Sequence, residues 1–342
     1  MRQLTFLEPG RFEWQEVSAP AIRAATDAIV RPLTVARCDL DLYIALGVVL
    51  YPGPFAFGHE TIAEIAEVGD AVPLKPGDRV AVPFQLSCGR CGTCGRGLTN
   101  SCEAYPFAAA YGLKPTSRTE FGGALAERMF VPFADHMLLP LPDGIDPVTA
   151  ASAPDNIADG WRAVGPHLKS RPGATVLVLG GLAQSVGIYA AGCAVALAAG
   201  RVLYLDDHPE RRARAAALGA RAEPLALAEG REPKDQFDIV VEAAGDADAL
   251  AFAVRSTAPN GALTSVAIHL GETTAIPLTR AYAKGLTFHT GRVHSRAVLP
   301  EVLSCLQHGA LHPEHVTHRV VHFSDAIDAM TDPGPKVVFT AT

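Results

Sequence analysis

Four cysteines stand close together as Cys88-x2-Cys91-x2-Cys94-x7-Cys102. Thiolates spaced this tightly on a loop can wrap one tetrahedral zinc ion. Gly89, Gly92, Gly95 and Gly97 lie among them, and a backbone without Cβ can turn its amides toward sulfur. All four positions are cysteine, so no ligand place remains for water, and the pattern predicts a structural ion rather than a catalytic one. Four ordinary thiols are the plain alternative, but free cysteines rarely cluster on exposed loops. Arg90 and Arg96 are the cations within the loop, too few for a module that grips nucleic-acid phosphates.

A second set is Gly58-His59-Glu60, with Cys38 upstream and Asp155 downstream. A histidine alone is more often a hydrogen-bonded polar residue than a metal ligand. An open zinc site, however, needs three protein ligands and one exchangeable position. Cys38 and Asp155 would bring two negative charges that cancel Zn²⁺, and such a site still polarises an oxygen ligand. Spacing by itself does not select Asp155 over other acids. Glu60 is either a ligand or an outer-shell residue.

A third set is the turn Gly180-Gly181-Leu182-Ala183-Gln184-Ser185-Val186-Gly187. It lies between a strand pattern and a helix pattern, where backbone N–H groups can receive a pyrophosphate. The usual G-x-G-x-x-G spacing is not met, because Leu182 and Gln184 stand where the first two glycines belong. Asp206 ends the next strand, 19 residues after Gly187. A carboxylate there accepts hydrogen bonds from a ribose 2′-hydroxyl and repels a 2′-phosphate, and Asp207 adds to the repulsion. The expected cofactor is therefore NAD rather than NADP.

These sets need elements to hold them. Short strand patterns with Gly/Pro punctuation fill the first ~150 residues, among them Ala28–Val35, Thr61–Val68, Arg79–Phe84 and Met137–Leu141. Asp146-Pro147 marks a helix start. From Thr175 the pattern alternates: strand Thr175–Leu179, helix Ser185–Ala199, strand Arg201–Leu205, helix Pro209–Leu218, strand Phe237–Ala243, helix Ala247–Arg255 and strand Ala262–Ala267. Such βαβ alternation predicts a doubly wound parallel sheet. A helix at Val298–Gln307 and a strand at Lys336–Thr340 follow.

Pro172 to Gly200 carries no charged residue, long enough to suggest a membrane span. Gly180-Gly181, Gln184 and Ser185 interrupt it, and a buried strand followed by a buried helix reads as the same apolar run. The expectation is no membrane segment. With 342 residues, 49% hydrophobic and 19% charged, the chain has ample core material, which excludes intrinsic disorder and suggests about two domains. Its net charge of −7 argues against a nucleic-acid surface. Seven cysteines bunched as described make a poor disulfide framework, and Met1 to Glu16 has no apolar signal-peptide core, so a cytoplasmic location is expected. Cys193 and Cys305 read as small buried hydrophobes.

Taken in order, these features resemble the zinc-containing alcohol dehydrogenases of the medium-chain dehydrogenase/reductase superfamily, over essentially the whole chain. Gly58-His59-Glu60 is the most specific element. Cys38-Asp39-Leu40-Asp41 matches the family's Cys-x-x-Asp at the first ligand of the catalytic zinc. The resemblance implies a β-rich GroES-like catalytic domain, 1–155 completed by 290–342, and a Rossmann NAD-binding domain, 156–289. It implies two zinc ions per chain. Cys38, His59 and Asp155 would hold the catalytic one, with Glu60 an alternate fourth ligand; Cys88, Cys91, Cys94 and Cys102 would hold the structural one. Asp41 belongs to the same catalytic set.

The chain departs from the family at Ala63, where glycine is usual, and at Asp159, where a threonine often contacts the cofactor. It departs again at Leu182 and Gln184 in the phosphate turn. Tyr43 stands where many members carry a proton-relaying histidine. A phenol ordinarily titrates near pKa ~10 against ~6.5 for imidazole, so an alkaline optimum for alcohol oxidation is expected. Arg211 is expected over the adenine or on its phosphate, unless it is a solvated helix residue. Lys336 resembles a position near the cofactor phosphates. Phe84, Tyr111 and Trp161 are candidate pocket walls.

The implied reaction is hydride transfer between a small or medium alcohol and NAD, with zinc as Lewis acid. A sorbitol- or threonine-type polyol or amino-alcohol dehydrogenase is a rival on the same fold. A non-catalytic NAD(H)-binding protein with structural zinc alone is a rival of another class. Family members are commonly homodimers or homotetramers.

Overall fold

The computed structural model describes residues 1–113, 121–225 and 232–341. The chain divides into two compact units. The first comprises Met1–Ala158, Val293–His308 and the stretch from Thr317 onward. The second comprises Asp159–Arg292 and Gly309–Val316. The boundary thus falls three residues later than the 155/156 expected, and a short piece after residue 308 returns to the second unit. Arg214 anchors that piece, donating from its guanidinium to the carbonyl oxygens of His315 (3.1 Å) and Val316 (3.3 Å).

The first unit is built on a seven-stranded sheet and a three-stranded one. Its central pair is Ala28–Ala36 against Glu60–Val68, antiparallel. The first of these strands is buried on both faces except at Arg31 and Leu33, which explains its near-continuous apolar sequence. Pro32 cannot donate to the ladder, and the register slips between Pro32 and Thr34. Phe6, Phe12, Phe55 and Phe57 interlock beneath the smaller sheet, with ring centroids 5.0 Å apart for Phe6–Phe55 and 5.1 Å for Phe12–Phe57. These rings favour tilted and edge contacts over flat stacking.

Two expected strands are shorter. Arg79–Val82 stops before Pro83, which has no N–H for the ladder. Met137 lies at the end of a short helix, Ala134–Met137, leaving Leu139–Pro140 as the strand. Its amide donates to the Phe133 carbonyl at 2.7 Å and so closes a helical turn.

The second unit holds a six-stranded, all-parallel sheet. In spatial order its strands are Arg221–Glu223, Arg201–Leu205, Thr175–Leu179, Phe237–Glu242, Thr257–Ser265 and Thr287–Thr290. The chain reverses direction across the sheet beside Thr175–Leu179, the switch point where such sheets bind ligands. The charge-free run resolves into that strand and the helix Gln184–Ala196, buried throughout from Ser185 to Ala194. Among the described residues no helix is long and apolar enough to cross a membrane. The helix Pro209–Ala217 opens on proline and ends before Gly219, whose φ of +92° suits only glycine without strain.

Candidate functional site

The pairing of Ala28–Ala36 with Glu60–Val68 sets Ala36 opposite Glu60. The chain leaving one strand and the chain entering the other are therefore neighbours, and Cys38 meets His59. Cys38 is the N-cap of the helix Asp39–Ala45. Its amide donates to Asp41 Oδ2 at 3.0 Å, so the Cys-x-x-Asp spacing is a capping box. Gly58 precedes His59 with φ +88°, and a Cβ there would come within 3.0 Å of the Leu125 side chain. Asp155 and Asn156 come from a π-helical turn, Ala153–Ile157, a geometry that recurs at functional sites.

The Cys38 thiol, the His59 imidazole and the carboxylates of Glu60 and Asp155 each offer an atom, all within 4.8 Å of one another, and all four residues are buried. His59 Nε2 lies 3.3 Å from Asp155 Oδ2, and Nδ1 lies 3.5 Å from Asp41 Oδ1. Neither Nδ1 nor that Asp41 oxygen has a hydrogen-bond partner at shorter range. A proton on Nδ1 would face Asp41 and leave the Nε2 lone pair toward the cluster, the usual carboxylate–histidine–zinc arrangement.

Burial pushes the Cys38 thiol well above its ordinary pKa, and the negative charges of Asp155, Glu60 and Asp41 push the same way. Burial also raises Glu60, to about 8, with Lys336 opposing and Asp155 adding. Asp41 is raised by burial against the pull of His59. For His59, burial acts downward, yet Asp41, Asp155 and Glu60 carry it up to about 9. Crowded out of water, the Cys38 thiol and the Glu60 and Asp41 carboxyls resist ionisation. A divalent cation would reverse that balance, and the thiol, imidazole and carboxylate donors suit zinc. The residues fit the metal.

Sequence reasoning missed the residues that hold this set together. Asn156 Nδ2 donates to Cys38 Sγ (3.2 Å) and to Asp155 Oδ2 (3.1 Å). Its Oδ1 accepts from Lys336 Nζ at 2.6 Å. Lys336 also donates to the Arg37 carbonyl oxygen (2.8 Å) and to Glu60 Oε1 (3.2 Å). Arg37 in turn donates to the carbonyls of Met330 (3.1 Å) and Gly334 (2.7 Å), which fixes the turn that delivers Lys336. Only adjacency to Asp155 could have pointed to Asn156. The expectation for Lys336 changes: its ammonium is fully buried on Glu60 and Asn156 rather than presented to phosphates. Tyr43 is half-buried in the same capped helix as Asp41. The Phe84 ring lies 5.3 Å from that of His59, whereas Tyr111 is core, its hydroxyl donating to the Phe130 carbonyl.

The four loop cysteines also converge, their sulfurs within 4.8 Å of one another. Backbone amides aim at them: Cys88 N at Cys102 Sγ (3.3 Å), and Arg90 N and Cys91 N at Cys88 Sγ (both 3.4 Å). Gly89 takes φ +69°, with no room for a Cβ against His136. Such N–H donors favour thiolate sulfur, and the set fits a closed zinc site made of four thiolates.

In the second unit, a Cβ on Gly180 would sit 2.2 Å from Asp206 Oδ2, and one on Gly181 2.6 Å from Ala244 Cα. Both glycines are therefore needed for close packing of the turn. Leu182 N and Ala183 N donate to the carbonyls of Ala244 (3.1 Å) and Ala243 (2.9 Å). The part of the turn that faces an anion by helix polarity is then Gln184–Val186. Asp206 is fully buried, and Arg211 folds onto it. Trp161 and Asp159 also belong to this unit, Asp159 paired with Arg162.

A Cys–His–carboxylate set that fits zinc, carried in one chain with a parallel dinucleotide-type sheet, is what a zinc-dependent nicotinamide dehydrogenase requires. Residues 24–143 match the alcohol dehydrogenase GroES-like domain, and residues 185–308 match the zinc-binding dehydrogenase domain. The chain is 28% identical to zinc-type alcohol dehydrogenase B of Aspergillus flavus, over 96% of this chain and 77% of that one. It is 31% identical to the NADP-dependent isopropanol dehydrogenase of Thermoanaerobacter brockii, over 82% and 79%. The solved alcohol dehydrogenase of Thermus sp. ATN1 superposes with a TM-score of 0.89 at 30% identity, covering 99% of each chain. The chain belongs to the zinc-containing alcohol dehydrogenases of the medium-chain dehydrogenase/reductase superfamily.

Proposed function

We propose that the protein oxidises a small or medium alcohol to its aldehyde or ketone, or runs the reverse reduction, with NAD(H) as the preferred partner. The observation that carries the reading is the buried convergence of Cys38, His59, Glu60 and Asp155 within 4.8 Å. Cys38, His59 and Asp155 would hold the catalytic metal, and Cys88, Cys91, Cys94 and Cys102 the structural one. When bound, the catalytic zinc supplies Lewis acidity toward an alcohol oxygen and the nicotinamide supplies a hydride acceptor.

The chain's own residues set the geometry and the protons. Asp41 fixes the tautomer of His59, and Asn156 orients both Cys38 and Asp155. Lys336 opposes the burial that raises Glu60 and holds its carboxyl group in place as an exchanging ligand in reserve. The Tyr43 hydroxyl takes up and passes on the proton released from the alcohol. The amino end of the helix Gln184–Ala196 receives the cofactor pyrophosphate. Asp206 and Asp207 at the end of their strand favour a ribose hydroxyl over a 2′-phosphate.

A panel of primary and secondary alcohols, offered with NAD and with NADP to protein of known zinc content, tests the reading. Turnover with NAD that vanishes on removal of one zinc supports it. Zinc-replete protein that binds dinucleotide but turns over no alcohol, polyol or aldehyde overturns it. The cysteines are unbridged, with Cys193 buried but Cys305 only half-buried rather than the core residue expected, and free thiols fit a reducing cytoplasm. A homodimer or homotetramer is proposed, with sedimentation as its check.

A further inference from the structure

The carboxylate that should read the ribose is already fully engaged. Asp206 Oδ1 accepts from His208 N and Arg211 Nη2, and Oδ2 accepts from the Tyr204 hydroxyl and Arg211 Nε, each at 2.7 Å. Four donors match the roughly four lone-pair positions of a carboxylate. Tyr204 is fully buried and His208 contributes main chain, so Arg211, with a side chain 17% exposed, is the partner on the open side. The guanidinium is bidentate and its charge offsets that of Asp206. Arg212 adds a second cation, its Nη1 on the Asp206 carbonyl oxygen at 2.7 Å. At the strand end two arginines thus gather on Asp206, one on its carboxylate and one on its carbonyl oxygen, while Asp207 is exposed.

We propose that Arg211 is a specificity-determining residue that acts by neutralising Asp206, so that the protein accepts NADP(H) nearly as well as NAD(H). The inference rests on the dinucleotide-binding reading above and deepens it. An acid excludes a 2′-phosphate by like-charge repulsion, which a bidentate arginine on the same carboxylate removes. Asp207, exposed at the same strand end, still disfavours a 2′-phosphate, so a preference for NAD(H) survives but is slim.

The test is fluorescence titration of the zinc-replete protein with NADH and with NADPH, no turnover being needed. For the wild type, NADPH should bind within about tenfold of NADH. Arg211→Ala uncovers the acid and should raise the NADPH:NADH ratio of Kd values by about tenfold or more. Arg211→Lys keeps the charge and should stay close to wild type. In the double variant Asp206→Asn/Arg211→Ala the acid that Arg211 neutralises is gone, and the ratio should return to near the wild-type value. This separates action through Asp206 from direct pairing of Arg211 with the phosphate. A wild-type ratio above about a thousand, an Arg211→Ala ratio within twofold of wild type, or a double variant that stays like Arg211→Ala each overturns the proposal. Wild-type protein that binds neither dinucleotide overturns the underlying reading instead.

Discussion

Lys336 Nζ lies 3.2 Å from Glu60 Oε1, and both side chains are fully buried. Removing one partner of a buried ion pair strands the other charge, typically costing about 3–5 kcal/mol. Lys336→Met is expected to lower the stability of the zinc-loaded protein by about that much. The added change Glu60→Gln should recover most of the loss. Denaturant midpoints check both, and a Lys336→Met variant within about 1 kcal/mol of wild type would show that the pair is not needed.

Asn156 binds both Cys38 and Asp155 through one amide nitrogen. Outer-shell partners of this kind are commonly worth about 10–100-fold in metal affinity or activity. Asn156→Ala should weaken zinc retention by that range in a chelator competition, while the four-cysteine ion is held as before. Equal loss of both ions would mean general unfolding instead.

The two proposed metal sites predict two distinct losses. Cys38→Ala should leave one zinc per chain and a normal melting curve, with turnover reduced by roughly a thousandfold or more, as expected when Lewis acidity worth several kcal/mol is removed. Cys88→Ser should instead release the other ion and destabilise the first unit, because a structural zinc contributes folding energy. Elemental analysis beside calorimetry reads both. A wild type holding a single zinc would return the non-catalytic alternative.

Asp238 ties the starts of two neighbouring parallel strands. It accepts from Thr175 N (2.9 Å), Thr175 Oγ1 (2.8 Å) and Arg171 Nη1 (2.9 Å). The Thr175 amide first, then the Thr175 hydroxyl and Arg171, hold its pKa below the usual carboxylate value despite some burial. A depressed folded pKa gives stability that is present above the unfolded pKa of about 3.9 and lost as pH falls through the folded one. Asp238→Asn should therefore cost about 1–3 kcal/mol at pH 7, and the gap to wild type should narrow below about pH 4. Thermal melts at several pH values decide it, and a pH-independent gap would refute the charge argument.

The proposed relay through the Tyr43 hydroxyl has a pH signature. Alcohol oxidation should climb through about pH 8–10, as a phenol approaches its ordinary titration range. Tyr43→Phe should lower kcat for oxidation with little change in KM. A rate maximum near neutrality would remove Tyr43 from the relay.

Much of the fold was readable because strand and helix periods are local properties. Thr175–Leu179 and Pro209–Ala217 follow directly from β-branched alternation and from a Pro start with a Gly stop. The short strand Leu139–Pro140 and the return of residues 309–316 to the second unit were not readable. They depend on contacts with distant residues, such as Arg214 reaching His315 across 101 positions.

The candidate site divides the same way. Residue type and spacing marked the four-cysteine loop and, together with Asp206, the Gly180–Gly187 turn, because ligand chemistry and glycine geometry are written in short stretches; the family resemblance singles out Cys38 and His59 as ligands. Spacing could not choose Asp155 among the acids, nor find Asn156 or the true setting of Lys336, 180 and 276 positions from its partners Asn156 and Glu60. Nor could it show that Asp206 is wrapped by Tyr204 and Arg211. Those facts concern which buried charges share a dielectric, and only the folded chain decides which groups leave water together.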